Sequence, residues 1–291
     1  TTVTGADKDD IKANVIVGET EVRTYKVDFD TVDTLPTALG SGDTLTATVA
    51  GEEGSKYLDL KSTASGEKIG VAYDLLSLVD ANDLETVKAA DKVTVSYKVK
   101  RVDGSSGDSH FDLTSALAPN MGQTYGYDGR FCNIQAMNGW SQFNLISQTK
   151  DNRVAQIGSG SNGSLKFNDN ADAWYDINLT IDYANQTVLG TLGVGENIAT
   201  FVLEGGSQNG TKGLYPGIDS SKFPTNITRD ALNLAFYPRV ACEYYLDDLA
   251  ISFEAFKTEE STASYTVSGT VDSTVSEFSI ATDGETVMTY P

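Results

Sequence analysis

Between Phe131 and Gln148 the chain reads Phe-Cys-Asn-Ile-Gln-Ala-Met, then Asn-Gly, then Trp-Ser-Gln-Phe-Asn-Leu-Ile-Ser-Gln. Asn138-Gly139 between two alternating runs is the strongest short-range hairpin signal, because both central residues of a type I′ turn need φ > 0. A two-residue loop sets the register. It places Met137 opposite Trp140, Gln135 opposite Gln142, Asn133 opposite Asn144 and Phe131 opposite Ile146. Successive side chains point to opposite faces. Cys132, Ile134, Ala136, Phe143 and Leu145 therefore share one face, and Trp140, Met137 and the amide ladder share the other. A core has no use for an amide ladder, and a solvated face has none for a tryptophan. Amides that both donate and accept, set beside a flat ring, can bond the hydroxyls of a sugar while the ring stacks on its C–H face.

A second stretch has the same character. In Trp174-Tyr-Asp-Ile-Asn-Leu-Thr-Ile-Asp-Tyr183 the apolar face is Tyr175, Ile177, Leu179, Ile181 and Tyr183, which leaves Trp174 with Asp176, Asn178, Thr180 and Asp182. Period-2 logic thus sets both tryptophans of the chain on polar faces. The loop Tyr125-Gly-Tyr-Asp-Gly-Arg130 adds Tyr125, Tyr127 and Arg130, whose types suit stacking and hydroxyl binding. The candidate binding set is Trp140, Trp174, Tyr125, Tyr127, Arg130, Asn133, Gln135, Gln142, Asn144 and Asp176.

Catalytic and metal signatures are absent from the sequence. The single histidine, His110, excludes paired-histidine metal sites, and neither GxSxG nor a P-loop occurs. Cys132 and Cys242 have no metal spacing and make no CxxC. Two readings stand for them, one disulfide between neighbouring strands or two buried thiols.

The balance of 41 acidic against 21 basic residues, net -20, opposes encounters with nucleic acid and with anionic membrane surfaces. No apolar run is long enough to span a membrane. The chain opens without a basic-then-apolar segment, as mature secreted proteins do, and its Thr, Ser, Gly, Asn and Asp content suggests an extracellular or cell-surface protein. At 291 residues it can hold one large all-β domain plus a fragment.

The elements that must position these residues are short strands. Val93-Thr-Val-Ser-Tyr-Lys-Val-Lys100 is a half-buried strand, and runs around Tyr25, Leu45, Tyr57, Ile69, Phe111, Val154, Leu165, Val188, Ile198, Leu234 and Tyr245 read similarly. Asp80 to Ala90 is the one expected helix, and 205–230 a long polar loop. The expected fold is all-β, a jelly-roll or β-sandwich of two antiparallel sheets with at most one short helix. Residues 1–21 read as a lead-in, 22–257 as the jelly-roll domain, and 258–291 as a linker or the start of a further β module.

Val27-Asp28-Phe29-Asp30, Trp174-Tyr-Asp-Ile177 and Tyr245-Leu-Asp-Asp-Leu-Ala-Ile-Ser-Phe253 resemble strands of concanavalin-like jelly-roll carbohydrate-binding modules, over roughly residues 22–257. The acidic, Thr-rich style is similar to starch- and polysaccharide-adherence proteins on bacterial surfaces. The resemblance implies non-catalytic binding of a glucan, starch-type α-glucan first, by one module of a larger secreted or surface-attached protein. Glucanases of that fold carry Glu-x-Asp-x-(x)-Glu on one strand, and no such run occurs here. The resemblance also implies a structural calcium ion held by Asp28, Asp30, Asp247 and Asp248, which stand on an early and a late strand. The competing reading of Asp247-Asp248 is a bulge, because inward alternation slips from Leu246 to Leu249. Two other functions fit the same fold: a polysaccharide-degrading enzyme, and an adhesive β-domain that binds protein.

Overall fold

A computed structural model describes residues 2–3, 12–15, 20–31, 35–40, 43–63, 69–102, 109–117, 130–137, 140–146, 153–157, 173–185, 187–204, 207–208, 211–212, 229–256, 265–268, 278–282 and 285–290. The chain divides into two compact units, one of residues Val22–Ala255 and one assembled from Thr1–Glu21 and Phe256–Pro291.

The strands begin with β1 (Thr2–Val3), β2 (Lys12–Val15), β3 (Thr20–Lys26), β4 (Thr37–Leu39), β5 (Leu45–Ala50), β6 (Tyr57–Ser62) and β7 (Gly70–Asp74). A 3-10 turn at Leu76–Leu78 and the helix α1 (Leu84–Ala89) interrupt them. Next come β8 (Lys92–Arg101), β9 (Ser109–Thr114), β10 (Arg130–Met137), β11 (Trp140–Ile146), β12 (Arg153–Ile157), β13 (Trp174–Asp182), β14 (Thr187–Val194) and β15 (Asn197–Glu204). The series closes with β16 (Ser207–Gln208), β17 (Thr211–Lys212), β18 (Asn233–Pro238), β19 (Cys242–Phe256), β20 (Tyr265–Ser268), β21 (Phe278–Thr282) and β22 (Glu285–Tyr290).

The chain ends, far apart in sequence, share the smaller unit: β1 pairs with β21, and β2 with β20. The larger unit is a β-sandwich. One sheet runs β17-β16-β12-β11-β10-β9-β18-β7-β4, and the other runs β15-β14-β13-β8-β19-β6-β5, with β3 beside β19. Apart from the short β12/β16 contact, the pairings are antiparallel.

The strongest period-2 runs make the centre of the eight-stranded sheet. Tyr175, Ile177, Leu179 and Ile181 of β13 pair in register with Val99, Tyr97, Val95 and Val93 of β8, and all eight are buried. Each such side chain contributes roughly 1.5–3 kcal/mol on leaving water. Rings bridge the two sheets. Phe111 of β9 stands 5.0 Å from Phe236 on its own sheet, and 5.5 Å from Tyr244 and 6.2 Å from Tyr97 on the other.

Three strands depart from alternation because both of their faces are covered. All six residues of β9 and of β18 are buried, as are the first four of β7. On the side away from the sandwich core, Leu39, Ala72, Ala235 and Tyr237 form a second apolar cluster. Gly70 makes this possible: a Cβ there would lie 2.4 Å from the Tyr237 ring and 2.8 Å from the Phe236 carbonyl oxygen.

The helix is shorter than the expected Asp80–Ala90. Asp83 precedes it, and its carboxylate makes no cap to the helix. Instead it receives the Arg23 guanidinium and the Tyr25 phenol of β3. The bond to Asp83 is the main reason the Tyr25 phenol is pushed up to about 12. Cys132 lies in β10 and Cys242 in β19, on opposite sheets, and the two are buried thiols rather than a disulfide. The expected strand at Leu165–Phe167 falls outside the described residues.

Candidate functional site

The β10/β11 hairpin has the register that a two-residue turn requires. Met137 pairs with Trp140, Gln135 with Gln142 and Asn133 with Asn144. The paired register ends at Cys132 and Leu145, short of the expected Phe131–Ile146 pair, because the flanking ladders shift at those points. Cys132 and Ile134, both fully buried, belong to the sandwich core together with Phe111 and Leu113 of β9. By strand alternation, the positions of Asn133 and Gln135 lie on the opposite, outward face of the nine-stranded sheet.

Two polar rows then cross the sheet. The first is Gln156 (β12), Asn144 (β11), Asn133 (β10) and Asp112 (β9). The second is Gln142, Gln135 and His110. The rows end against Ala235 and Tyr237 of β18, part of the outward apolar cluster. Asp112 and His110 are 0% and 2% exposed, so hydrogen bonds there are made away from bulk water, where they are electrostatically stronger. Sequence reasoning stopped the ladder at β10. The signal it passed over is that His110 and Asp112 alternate with Phe111 and Leu113. Trp140 sits at the turn end of this hairpin, and Arg130 pairs with Thr114 at its other end. Tyr125 and Tyr127 lie outside the described residues.

Trp174 is not on this face. It opens β13 in the other sheet, where it alternates with core Tyr175 and faces outward, half-buried. Its cross-strand row is Trp174, Lys100, Tyr245 and Asp59. Tyr57, two residues before Asp59, closes a cluster of rings. Tyr57 and Tyr245 have centroids 4.2 Å apart and planes 30° apart, and Tyr57 meets Trp174 edge-on at 6.2 Å. The Lys100 ammonium lies 4.9 Å from the Tyr245 ring centre and 5.3 Å from that of Trp174. Burial, followed by the hydrogen bond with Tyr57, pushes the Tyr245 phenol up to about 12. Asp176 is exposed, 3.9 Å from Lys98, which also binds Asp248 at 2.6 Å. Sequence reasoning missed Tyr57 and Tyr245. Their signal is alternation with core Leu58 and Leu60, and with core Tyr244 and Leu246.

The aspartates expected to hold calcium, Asp28, Asp30, Asp247 and Asp248, lie in turn and bulge segments. Asp30 accepts the amides of Gly54 and Lys56 at 2.8 and 3.1 Å, and Asp28 accepts the Asp30 amide. Asp247 accepts the amide of Asp248, which has φ 49° in a bulge where pairing shifts between Asp247 and Ala250. Leu246 and Leu249 are both inward. Among the described residues no group of three or more His, Cys, Asp or Glu side chains is arranged to hold a metal ion. Asp28, Asp30 and Asp247 thus accept turn and bulge hydrogen bonds, and Asp248 is in an ion pair with Lys98.

No family model and no curated protein matches this chain. Solved structures with a similar course include peanut lectin in complex with a nine-residue peptide, at TM-score 0.42 and 9% identity over 87% of this chain and 100% of the lectin. Another is the CBM2 module of the evolved Dit protein of Lactobacillus casei BL23 phage J-1, at TM-score 0.42 and 12% identity over 81% and 99% of the two chains. A third is the CBM22-1 xylan-binding domain of Paenibacillus barcinonensis Xyn10C, at TM-score 0.34 and 13% identity over 82% and 97%.

Proposed function

We propose that this chain is a non-catalytic carbohydrate-binding module that takes a neutral glucan across the outward face of its nine-stranded sheet. The observation that supports the reading is the pair of polar rows, Gln156–Asn144–Asn133–Asp112 and Gln142–Gln135–His110. Neighbours in such rows stand about 4.5–5.5 Å apart, so β10, β11 and β12 each offer an amide position to a ligand lying across them, while the buried Asp112 and His110 close the rows on the β9 side. An amide both donates and accepts, as a hydroxyl does. Trp140, at the turn end of the same hairpin, is the stacking ring. The acidic excess disfavours uronate-rich polymers and favours neutral ones. Starch-type α-glucan is the first choice. The setting proposed is extracellular, within a larger multi-module protein.

Calorimetric titration with maltoheptaose, cellohexaose and xylohexaose tests the rows. Asn133→Ala/Gln135→Ala should weaken binding on this face by tenfold or more, since a ligand hydroxyl left without its partner costs about 1–3 kcal/mol. Undiminished binding would remove the rows from the site.

A further inference from the structure

The two ends of the longer polar row differ. Past β12 the row continues, because Gln156 pairs with Gln208 of β16 and Gln208 pairs with Thr211 of β17. It then reads Thr211–Gln208–Gln156–Asn144–Asn133–Asp112 over six strands, about 24 Å at the usual spacing between strands. Among the described residues β17 is the last strand of the sheet, so the row runs out to a sheet edge there.

At the other end the row is shut. Asp112 and His110 are buried. Beyond them all six residues of β18 and the first four of β7 are buried as well. Alternation gives each of these strands side chains on the outward face, so that face is covered from β9 onward. The side chains that fill it are the apolar cluster Leu39, Ala72, Ala235 and Tyr237. Tyr237 packs so closely on Gly70 that a Cβ there would lie 2.4 Å from its ring. The wall is therefore part of the packed interior.

We propose that the site takes the end of a glucan chain rather than an internal stretch of one. It rests on the carbohydrate reading above and names the part of the polymer that is recognised. The polar positions run six deep across the strands and only two deep along them, at Asn133 with Gln135 and Asn144 with Gln142. The long axis of the site thus lies across the strands. A glucan on that axis enters over β17 and must stop at β9. An internal stretch would have to continue over β18, β7 and β4, where apolar side chains offer its hydroxyls no partner. From Thr211 to Asn133 the row carries no charge, which suits a neutral chain end.

The test uses linear amylose, barley β-glucan and unsubstituted xylan, each as a short fraction and a tenfold longer one. At equal mass the longer fraction carries a tenth of the ends. In calorimetric titrations of the full chain, the midpoint expressed as mass of glucan should rise about tenfold with the longer fraction. Each glucan chain should hold the same number of protein molecules at both lengths, a result that needs no variant. A midpoint unchanged by length, with protein bound in proportion to length, overturns end recognition and leaves the carbohydrate reading standing. No binding to any of the polymers overturns both. Asn133→Ala/Gln135→Ala should weaken the end-dependent binding by tenfold or more while the thermal melt stays cooperative. End-dependent binding retained in full by that variant would put the chain end elsewhere on the molecule and overturn the inference.

Discussion

Phe111→Ala should destabilise the sandwich by about 3–5 kcal/mol, the cost of truncating a fully packed ring. Phe111 is 1% exposed. It touches Phe236 on its own sheet, and it also meets Tyr244 and Tyr97 across the sandwich. Its removal therefore opens a cavity where the two sheets are joined. In a thermal melt the midpoint should drop by roughly 2–4 °C for each kcal/mol in a domain of this size. Its neighbours His110 and Asp112 point the other way, so oligosaccharide affinity below the melt should stay within about twofold. A destabilisation under about 1 kcal/mol would mean that the sheets are not held together at this point.

Trp140→Ala should behave in the opposite way. Trp140 follows directly on a two-residue turn and pairs with Met137 at the end of the hairpin. Truncation at a hairpin end leaves no sealed cavity, so the melt should barely move. The loss should instead appear in affinity on the face of the nine-stranded sheet, at about 1–3 kcal/mol, as for other aromatic anchors. A core tryptophan would cost about 3–5 kcal/mol of folding free energy. Normal binding with a much earlier melt would assign the residue to packing.

Much of the sandwich was legible because local rules govern it. Asn138-Gly139 set the hairpin register, and strict alternation in Val93–Val99 and Tyr175–Ile181 marked the two central strands of one sheet. The slip from Leu246 to Leu249 marked the bulge, which appears as Asp248 at φ 49°. The runs around Ile69 and Leu234 read as strands, but burial on both faces of β7 and β18 erases the period-2 signal that would orient them. The site was legible only within single hairpins. Trp140 and Trp174 both read as outward, but alternation does not say which sheet a strand joins. The strand order β13-β8-β19-β6 brings Trp174, Lys100, Tyr245 and Tyr57 together from four separate stretches. Likewise, the pairing of β1 with β21 and β2 with β20 joins chain ends that share no local pattern.

The central claim is that this chain holds neutral glycan without cleaving it. Native affinity electrophoresis tests it most directly, with amylopectin, barley β-glucan and arabinoxylan cast into parallel gels and reducing ends assayed after incubation of the protein with each polymer. The account predicts retarded migration in at least one gel, amylopectin first, with no rise in reducing ends. Unretarded migration in every gel, or retardation accompanied by released product, would contradict it.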